Sequence, residues 1–370
     1  MTLNPIKISF LLVARILSII LFAVTIFAGF GGYANPEMTS FPAIAVLIFP
    51  YLFIASFVVG LAWLVSRHWV IAVMAALTLV ACWQPASKAV PLSWSKSAGE
   101  GAPTFTLLTY NIFNLQDQDY PDKPYERAFS YLISTDADVV CLQECRELPG
   151  KSLKKLADGK FVESQIDTLR RRYPVIISDP RSGNMLLSRL PAIAKSVPDD
   201  LKGYVDLYCL DVKGKRIDLV NVHLASFNFN GDDCEVVTQI NSLQTARKSV
   251  GELKGGLRAK MSDAFRARAR MAEDLRKLLN TLRPNVIVCG DFNDVPVSWA
   301  YRKVAGEDMK DAYAETNFGY KNTYNAHRFY FHIDQILYRG GLRALSVRRD
   351  KPTNSDHYPQ VAEFELTDTP

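Results

Sequence analysis

Asp291 and Asn293 stand two residues apart where the apolar run Val286-Ile-Val-Cys289 stops at Gly290. In an extended chain that spacing turns both side chains to one face, just past the end of a buried strand. A carboxylate and a carboxamide there are costly to bury unless they bind something. Taken alone, the pair reads equally well as an Asx-turn closing a strand. The same placement recurs, however, at Asn111, Glu144, His223, Asp334 and the pair Asp356-His357, each where a strand-like run ends. A single such residue is ordinary structure; a set of them at separate strand ends is a candidate site.

The residue types suit one task. Glu144, Asp356 and Asn111 offer hard oxygen ligands of the kind taken by Mg²⁺ or Mn²⁺, which keep positions open for water and substrate phosphate. His223 and His357 can move protons near neutral pH. Asp334 can hold His357 in one tautomer and orientation, as carboxylates do in hydrolytic sites. Asn293 can donate a hydrogen bond to a phosphoryl oxygen while Asp291 aligns water. No CxxC and no Cys/His metal spacing competes with this reading.

These residues require strands to present them. Apolar runs predict strands at Phe105–Tyr110, Ala137–Leu142, Val175–Ile177, Asn184–Ser188, Val286–Cys289, Ile333–Tyr338, Leu342–Arg348 and Gln360–Leu366. Tyr204–Val212 and Arg216–His223 read as a hairpin around Lys213-Gly-Lys215. Helical spacing appears over Tyr125–Ser134 and Met261–Leu282, and a helix plus loop is expected within Lys151–Arg172. Strands alternating with helices, without a short repeat, predict an α/β class with layered sheets and covering helices.

The front of the chain is different. No charged residue occurs from Ile16 to Pro36, from Met38 to Ser66, or from Trp69 to Ser87. About 20 apolar residues cross a bilayer, so residues 1–83 are expected to form a membrane region of about three transmembrane helices, the third being the weakest. Trp63, Trp69, Trp83 and Trp94 fall near the expected span ends. Residues 84–103, rich in Pro, Ser, Gly and Ala, read as a linker, and residues 104–370 as one catalytic-size domain. Lys7 and Arg15 before the first run, with Arg67 after the second, predict a cytoplasmic amino terminus. Three spans then put the domain on the non-cytoplasmic side, in an integral membrane protein.

The first hundred residues carry five basic and two acidic side chains out of 43 and 38 in the chain. The remainder is therefore nearly neutral, which gives no strong electrostatic case for a nucleic-acid surface. Thr245–Arg283 is a local exception, with eleven basic and four acidic residues. It reads as an amphipathic helix covering the sheet, preceded by a segment, Ser226–Lys260, that could overhang the site. Of the six cysteines, Cys209 and Cys234 could pair in an oxidising compartment; Cys141, Cys145 and Cys289 lie in or beside apolar strands, where buried thiols are usual.

The set Thr109-Tyr-Asn111, Leu142-Gln-Glu144, Asn221-Val-His223, Gly290-Asp-Phe-Asn293, Ile333-Asp334 and Ser355-Asp-His357 resembles the endonuclease/exonuclease/phosphatase superfamily, with the motifs in the family's order across Thr104–Leu366. Gly183-Asn-Met-Leu-Leu-Ser-Arg189 is similar to the family's middle strand. The resemblance implies a four-layer α/β sandwich, two packed mixed sheets flanked by helices, here preceded by an α-helical transmembrane region. It implies metal-dependent hydrolysis of phosphate esters, with Mg²⁺ or Mn²⁺ near Asn111 and Glu144 and Asp356 as a further ligand. His357 with Asp334 would be the proton carrier, His223 would contact phosphate or protonate the leaving group, and Asp291 and Asn293 would position water and the phosphoryl group. Whether His357 or Asp291 takes the proton from water stays open.

The expected partners are a phosphate-ester substrate and the lipid bilayer. Three substrate sources stay open: a lipid headgroup, a soluble phosphodiester or nucleic acid. A nuclease acting on DNA or RNA outside the cytoplasm is the nearest alternative. Tyr110-Asn-Ile-Phe-Asn114 departs from the Trp-Asn-Val-Asn-Gly type of abasic-site enzymes, which argues against base-excision repair. A non-catalytic membrane binding module on the same fold is the rival of another class. It would tolerate loss of an acid or a histidine, and none is missing.

Overall fold

In the computed structural model the residues described are 5–117, 120, 123, 125–149, 159–227, 256–326 and 330–367. Two six-stranded mixed sheets form the domain. The first contains β1 (Thr104–Asn111), β2 (Val139–Gln143), β3 (Val175–Asp179), β4 (Asn184–Ser188), β11 (Leu342–Arg349) and β12 (Gln360–Leu366), in the order β11-β12-β1-β2-β4-β3. The second contains β5 (Ala192–Lys195), β6 (Val205–Val212), β7 (Lys215–His223), β8 (Val286–Asp291), β9 (Lys310–Asp311) and β10 (Asp334–Arg339), in the order β5-β6-β7-β8-β10-β9. Only the β1–β2 and β7–β8 pairs are parallel; the other strand pairs are antiparallel.

Strand alternation builds the layers. On β1, Leu107 turns inward to a core shared with Leu219, Ile287 and Ile336 of the opposite sheet. Its neighbour Leu108 turns outward to Phe129 and Leu132 of α6 (Glu126–Thr135) and Leu169 of α7 (Gly159–Arg172). On β8, Ile287 faces inward, whereas Val288 meets Leu275 and Leu279 of α8 (Gly256–Thr281) and Val304 of α9 (Trp299–Ala305). Each fully buried Leu or Val contributes about 1.5–3 kcal/mol from the removal of apolar surface from water. The result is the expected four-layer sandwich, helix, sheet, sheet, helix.

The amino-terminal region contains α1 (Pro5–Phe30), α2 (Phe41–Leu47), α3 (Phe49–Val65), α4 (Trp69–Ala81) and α5 (Trp83–Ala89). One stretch, Ile8–Tyr33, is helical, long and apolar enough to cross a membrane unaided. The second and third apolar runs, expected as spans, are each bent: α2 meets α3 at 61° and α4 meets α5 at 66°. Among the described residues, up to three segments are long and apolar enough to cross if each bent pair is one span. Pro50 lies in the first turn of α3 and Pro85 in that of α5. A proline is tolerated there but cannot continue a preceding helix.

The residues read as a linker are laid along the domain. Ser93 N–H donates to Asn317 carbonyl (2.9 Å) and Lys96 N–H to Leu345 carbonyl (2.7 Å). Ala86 and Ala89 are buried. Most of Ser226–Lys260, Cys234 and the first part of Lys151–Arg172 lie outside the described residues.

Candidate active site

The register of the second sheet sets the centre of the site. His223 on β7, Asp291 on β8 and Asp334 on β10 are lateral partners, so the two parallel and antiparallel pairings align three side chains at one sheet edge. Gly290 makes the approach possible. Its φ is +133°, and a Cβ there would stand 2.1 Å from the Val222 carbonyl oxygen. In the first sheet, Asn111 at the end of β1 pairs with Gln143, which places Glu144 beside it. Glu144 has φ +50° and Asn293 φ +51°. Left-handed backbone is tolerated by Asn and is strained for Glu, an outlier of the kind found at functional sites.

Asp291 is the meeting point. Its Oδ2 accepts from Asn111 Nδ2 at 3.0 Å. It also lies 3.6 Å from His357 Nε2 and 3.8 Å from His223 Nε2. The same Asn111 amide donates to Glu144 Oε1 at 3.0 Å, and Glu144 Oε1 is 3.8 Å from His223 Nε2. Asp291 Oδ1 accepts from Asn293 N–H at 2.7 Å, while Asn293 Nδ2 donates to the Leu224 carbonyl at 2.9 Å. His357 Nδ1–H donates to Asp334 Oδ2 at 2.9 Å, so its Nε2 is directed at Asp291. Asp356 follows in the chain beside His357, with its Oδ1 3.5 Å from Ser355 Oγ; that hydroxyl donates to the Asn111 carbonyl at 2.8 Å. Each of the eight residues singled out from the sequence thus lies in or beside one cluster spanning both sheets.

The electrostatics follow from burial and crowding of like charge. Burial raises the Asp291 carboxyl above the ordinary carboxylate range; His357 opposes this and Asp334 adds to it. Burial would lower His357, but Asp334 and Asp291 outweigh it and hold the imidazole up at about 10. The imidazolium is therefore clamped between two carboxylates. Asp291, Asp334 and His357 offer ligand atoms within 4.8 Å of one another, a group with the spacing to hold a metal ion. A divalent cation fits the wider donor set too. Glu144 and Asp291 present hard oxygens that share a single amide donor, and carboxylates outnumber imidazoles in the cluster.

Several supporting residues escaped the sequence reading. Gln143 Nε2 donates to Asn221 Oδ1 (2.7 Å) and Asn221 Nδ2 to the Leu142 carbonyl (3.1 Å), an amide layer joining the sheets beneath the site. Thr323 Oγ1 accepts from the backbone N–H of Ile333 (2.9 Å) and Asp334 (3.0 Å), and the Tyr324 ring packs edge-on against His357 at 5.1 Å. Arg268 on α8 is fully buried. Its Nη1 donates to the Ala225 carbonyl (2.8 Å) and its Nε to Asp294 Oδ2 (3.3 Å), tying the segment after His223 to the segment after Asn293. One signal was available: Arg268 sits midway between Ala264 and Ala272, on the apolar stripe of its helix.

Fold, strand-end placement and motif order together define the class. The chain belongs to the Endonuclease/Exonuclease/phosphatase family, whose model matches residues 108–357. A second family model, described as a domain of unknown function (DUF8431), matches residues 9–89. Similar solved structures include an endonuclease/exonuclease/phosphatase from Beutenbergia cavernae DSM 12333, 16% identical, covering 72% of this chain and 72% of that one with a TM-score of 0.43. The human Nocturnin catalytic domain with bound sulfate anion is 16% identical, covering 72% and 96%, with a TM-score of 0.44. Sphingomyelinase C from Streptomyces griseocarneus is 16% identical, covering 70% and 99%, with a TM-score of 0.39. No curated protein matches the chain.

Proposed function

We propose that this protein is a membrane-anchored, divalent-metal-dependent phosphoesterase that hydrolyses phosphodiester or phosphomonoester bonds by attack of water. The observation that carries the reading is the convergence on Asp291 of Asn111, His223 and the His357–Asp334 pair. Glu144 and Asn111, with Asp356, would hold Mg²⁺ or Mn²⁺, Asn111 through its Oδ1 after the amide, which donates through Nδ2 to Glu144 and Asp291, turns over. That ion would supply charge for the phosphoryl oxygens and lower the barrier to attack.

The chain's own residues account for the rest. Asn293 and His223 donate toward phosphoryl oxygens, where negative charge grows in the transition state. Asp291 and the His357 imidazole flank the position for water. Asp291, or His357 once its ring has given up its own proton, takes that proton, and Asp334 keeps the His357 ring oriented throughout. The α1 helix anchors the protein in the bilayer. The basic residues at its start favour a cytoplasmic amino terminus, and three crossings would leave the catalytic domain on the other side.

The test is turnover by the purified full-length protein with Mg²⁺ or Mn²⁺, with and without chelator. The substrates are bis-p-nitrophenyl phosphate, plasmid DNA, sphingomyelin and inositol phosphates. Chelator-sensitive turnover on at least one is expected; none on any would return the chain to the binding-module reading. Protease access to the domain in intact, outer-membrane-permeabilised cells tests the topology, and protection there would reverse the orientation.

A further inference from the structure

The helical region is seated on the loops that carry the site. Val295 and Val297, just past Asn293, and Ile333, just before Asp334, share one buried cluster with Ala28, Val46 and Phe49 of the amino-terminal helices. At Gly32, where the long apolar helix ends, a Cβ would come within 1.7 Å of the Val297 carbonyl oxygen. Val297 itself has φ +70°, rare for a β-branched residue. Polar contacts pin the same seam: Ser40 and Ser262 hydroxyls at 2.7 Å, and the Arg302 guanidinium 3.4 Å from the Tyr33 ring centre. The connecting segment is itself hydrogen-bonded to the domain at Ser93 and Lys96, so it gives the domain no reach away from the helices.

A second observation concerns the surface beside that seam. Trp83, Leu92, Trp94, Phe318 and Tyr330 are all exposed, although each is large and apolar. Trp94 and Phe318 stack at 5.6 Å, and Leu92 pairs with Phe318 by backbone bridging. The patch is tied to α3: the exposed Tyr51 ring packs edge-on against Tyr320 at 5.5 Å, and its hydroxyl donates to the Tyr330 carbonyl. Exposed aromatics at such a boundary are the side chains that favour the headgroup layer. Phe318 and Tyr330 also belong to the segment whose Thr323 and Tyr324 brace Asp334 and His357. One segment therefore carries two of the exposed aromatics and braces the proton-carrying pair.

We infer that the site opens at the membrane surface and takes a phosphodiester of a membrane lipid while its acyl chains remain in the bilayer. This rests on the phosphoesterase and membrane-anchor readings above. A soluble substrate needs only a flexible tether; a domain fixed at its catalytic edge suits a substrate confined to the same surface. In the reaction, water oxygen bonds to phosphorus, one phosphorus–oxygen ester bond breaks, and the departing alcohol receives the proton that the water gave up. The products are a phosphomonoester and an alcohol, one of them still lipid-borne.

The test uses full-length protein reconstituted with Mg²⁺ in bilayers of phosphatidylcholine, phosphatidylethanolamine, phosphatidylglycerol or sphingomyelin, with loss of each diester followed by phosphorus NMR. Parallel reactions use the short-chain monomeric form of each lipid, bis-p-nitrophenyl phosphate and plasmid DNA. At least one bilayer lipid should be cleaved about 10-fold or more faster than its short-chain form, because confinement to one surface raises the effective concentration. The variant Trp94→Ser with Phe318→Ser should lose that advantage while turning over bis-p-nitrophenyl phosphate within about twofold of the native protein, because both side chains are exposed and the bracing contacts to Asp334 and His357 come from Thr323 and Tyr324. Equal rates on bilayer and monomeric lipid overturn the inference, as does cleavage of DNA or the soluble diester without any lipid. A double variant that keeps the full bilayer advantage also overturns it. Failure on every substrate, the soluble diester included, overturns the phosphoesterase reading and this inference with it.

Discussion

His357 Nε2 stands 3.6 Å from Asp291 Oδ2, with the other ring nitrogen held by Asp334 at 2.9 Å. Two candidates for receiving water's proton thus share one position, and their titrations are linked. Replacing His357 by Ala removes the ring that both carboxylates face. Turnover should fall about 10²–10⁴-fold with the near-ultraviolet circular dichroism retained at pH 7. A variant that turns over any phosphoester at the native rate would remove His357 from the mechanism.

The same clamp gives a pH signature in the metal-free protein. The folded His357 is raised from 6.5 to about 10, since Asp334 and Asp291 outweigh the effect of burial. A raised pKa means that folding favours the protonated ring. Its stabilisation is complete below about pH 6.5 and is lost as pH rises through about 10. Melting temperatures of the native protein and His357→Gln, measured in chelator, should differ most near pH 6 and converge by about pH 10. A gap that widens with rising pH contradicts the assignment.

Arg268 offers a stability test away from the reacting atoms. Its side chain and that of Asp294 are both buried and meet at 3.3 Å. Removing one partner of a buried pair leaves an uncompensated charge, at roughly 3–5 kcal/mol. Arg268→Ala should show this loss in chemical denaturation. Arg268→Lys keeps the charge but loses the fork that reaches Ala225 and Asp294 together. It should retain most of the stability and still lower kcat, because the segments holding His223 and Asn293 are no longer tied. Unchanged kcat in Arg268→Lys would make the residue purely structural.

Gly290→Ala probes the close approach of β8 to β7. The substitution meets both an unfavourable φ of +133° and a carbonyl at 2.1 Å. A loss of at least about 2 kcal/mol is expected, with activity falling more steeply than folded fraction, because Asp291 follows directly. A native-like melting temperature would show that the two strands can separate there.

Much of this was legible before the structure. Asn184–Ser188 is readable to the residue as a short apolar run with clear ends, and Gln360–Leu366 as apolar residues interleaved with Glu363 and Glu365 between Pro359 and Thr367. Asn111, Glu144, His223, Asp291 and Asn293 are legible because they stand where such runs end, whereas Asp334 opens its strand and Asp356-His357 precede theirs. β5 was not: Ala192–Lys195 is a short, largely exposed strand with no apolar alternation to mark it. The Gln143–Asn221 contact is a pairing between sheets, and nothing local in either segment announces it. The seat of α1 on Val297 was hidden differently. A helix apolar on every side has no stripe from which to read the face that meets protein rather than lipid.

In the proposed mechanism Glu144 and Asn111 serve a divalent ion that the reaction requires. The deciding experiment titrates Mg²⁺ into chelator-stripped full-length protein and into Glu144→Gln, following bis-p-nitrophenyl phosphate. The native protein should be inactive without metal and recover with it, and Glu144→Gln should need about 10–100-fold more Mg²⁺ to reach half its own maximum. Turnover that persists in chelator, or a Mg²⁺ requirement unmoved by Glu144→Gln, would show that no such ion is held there.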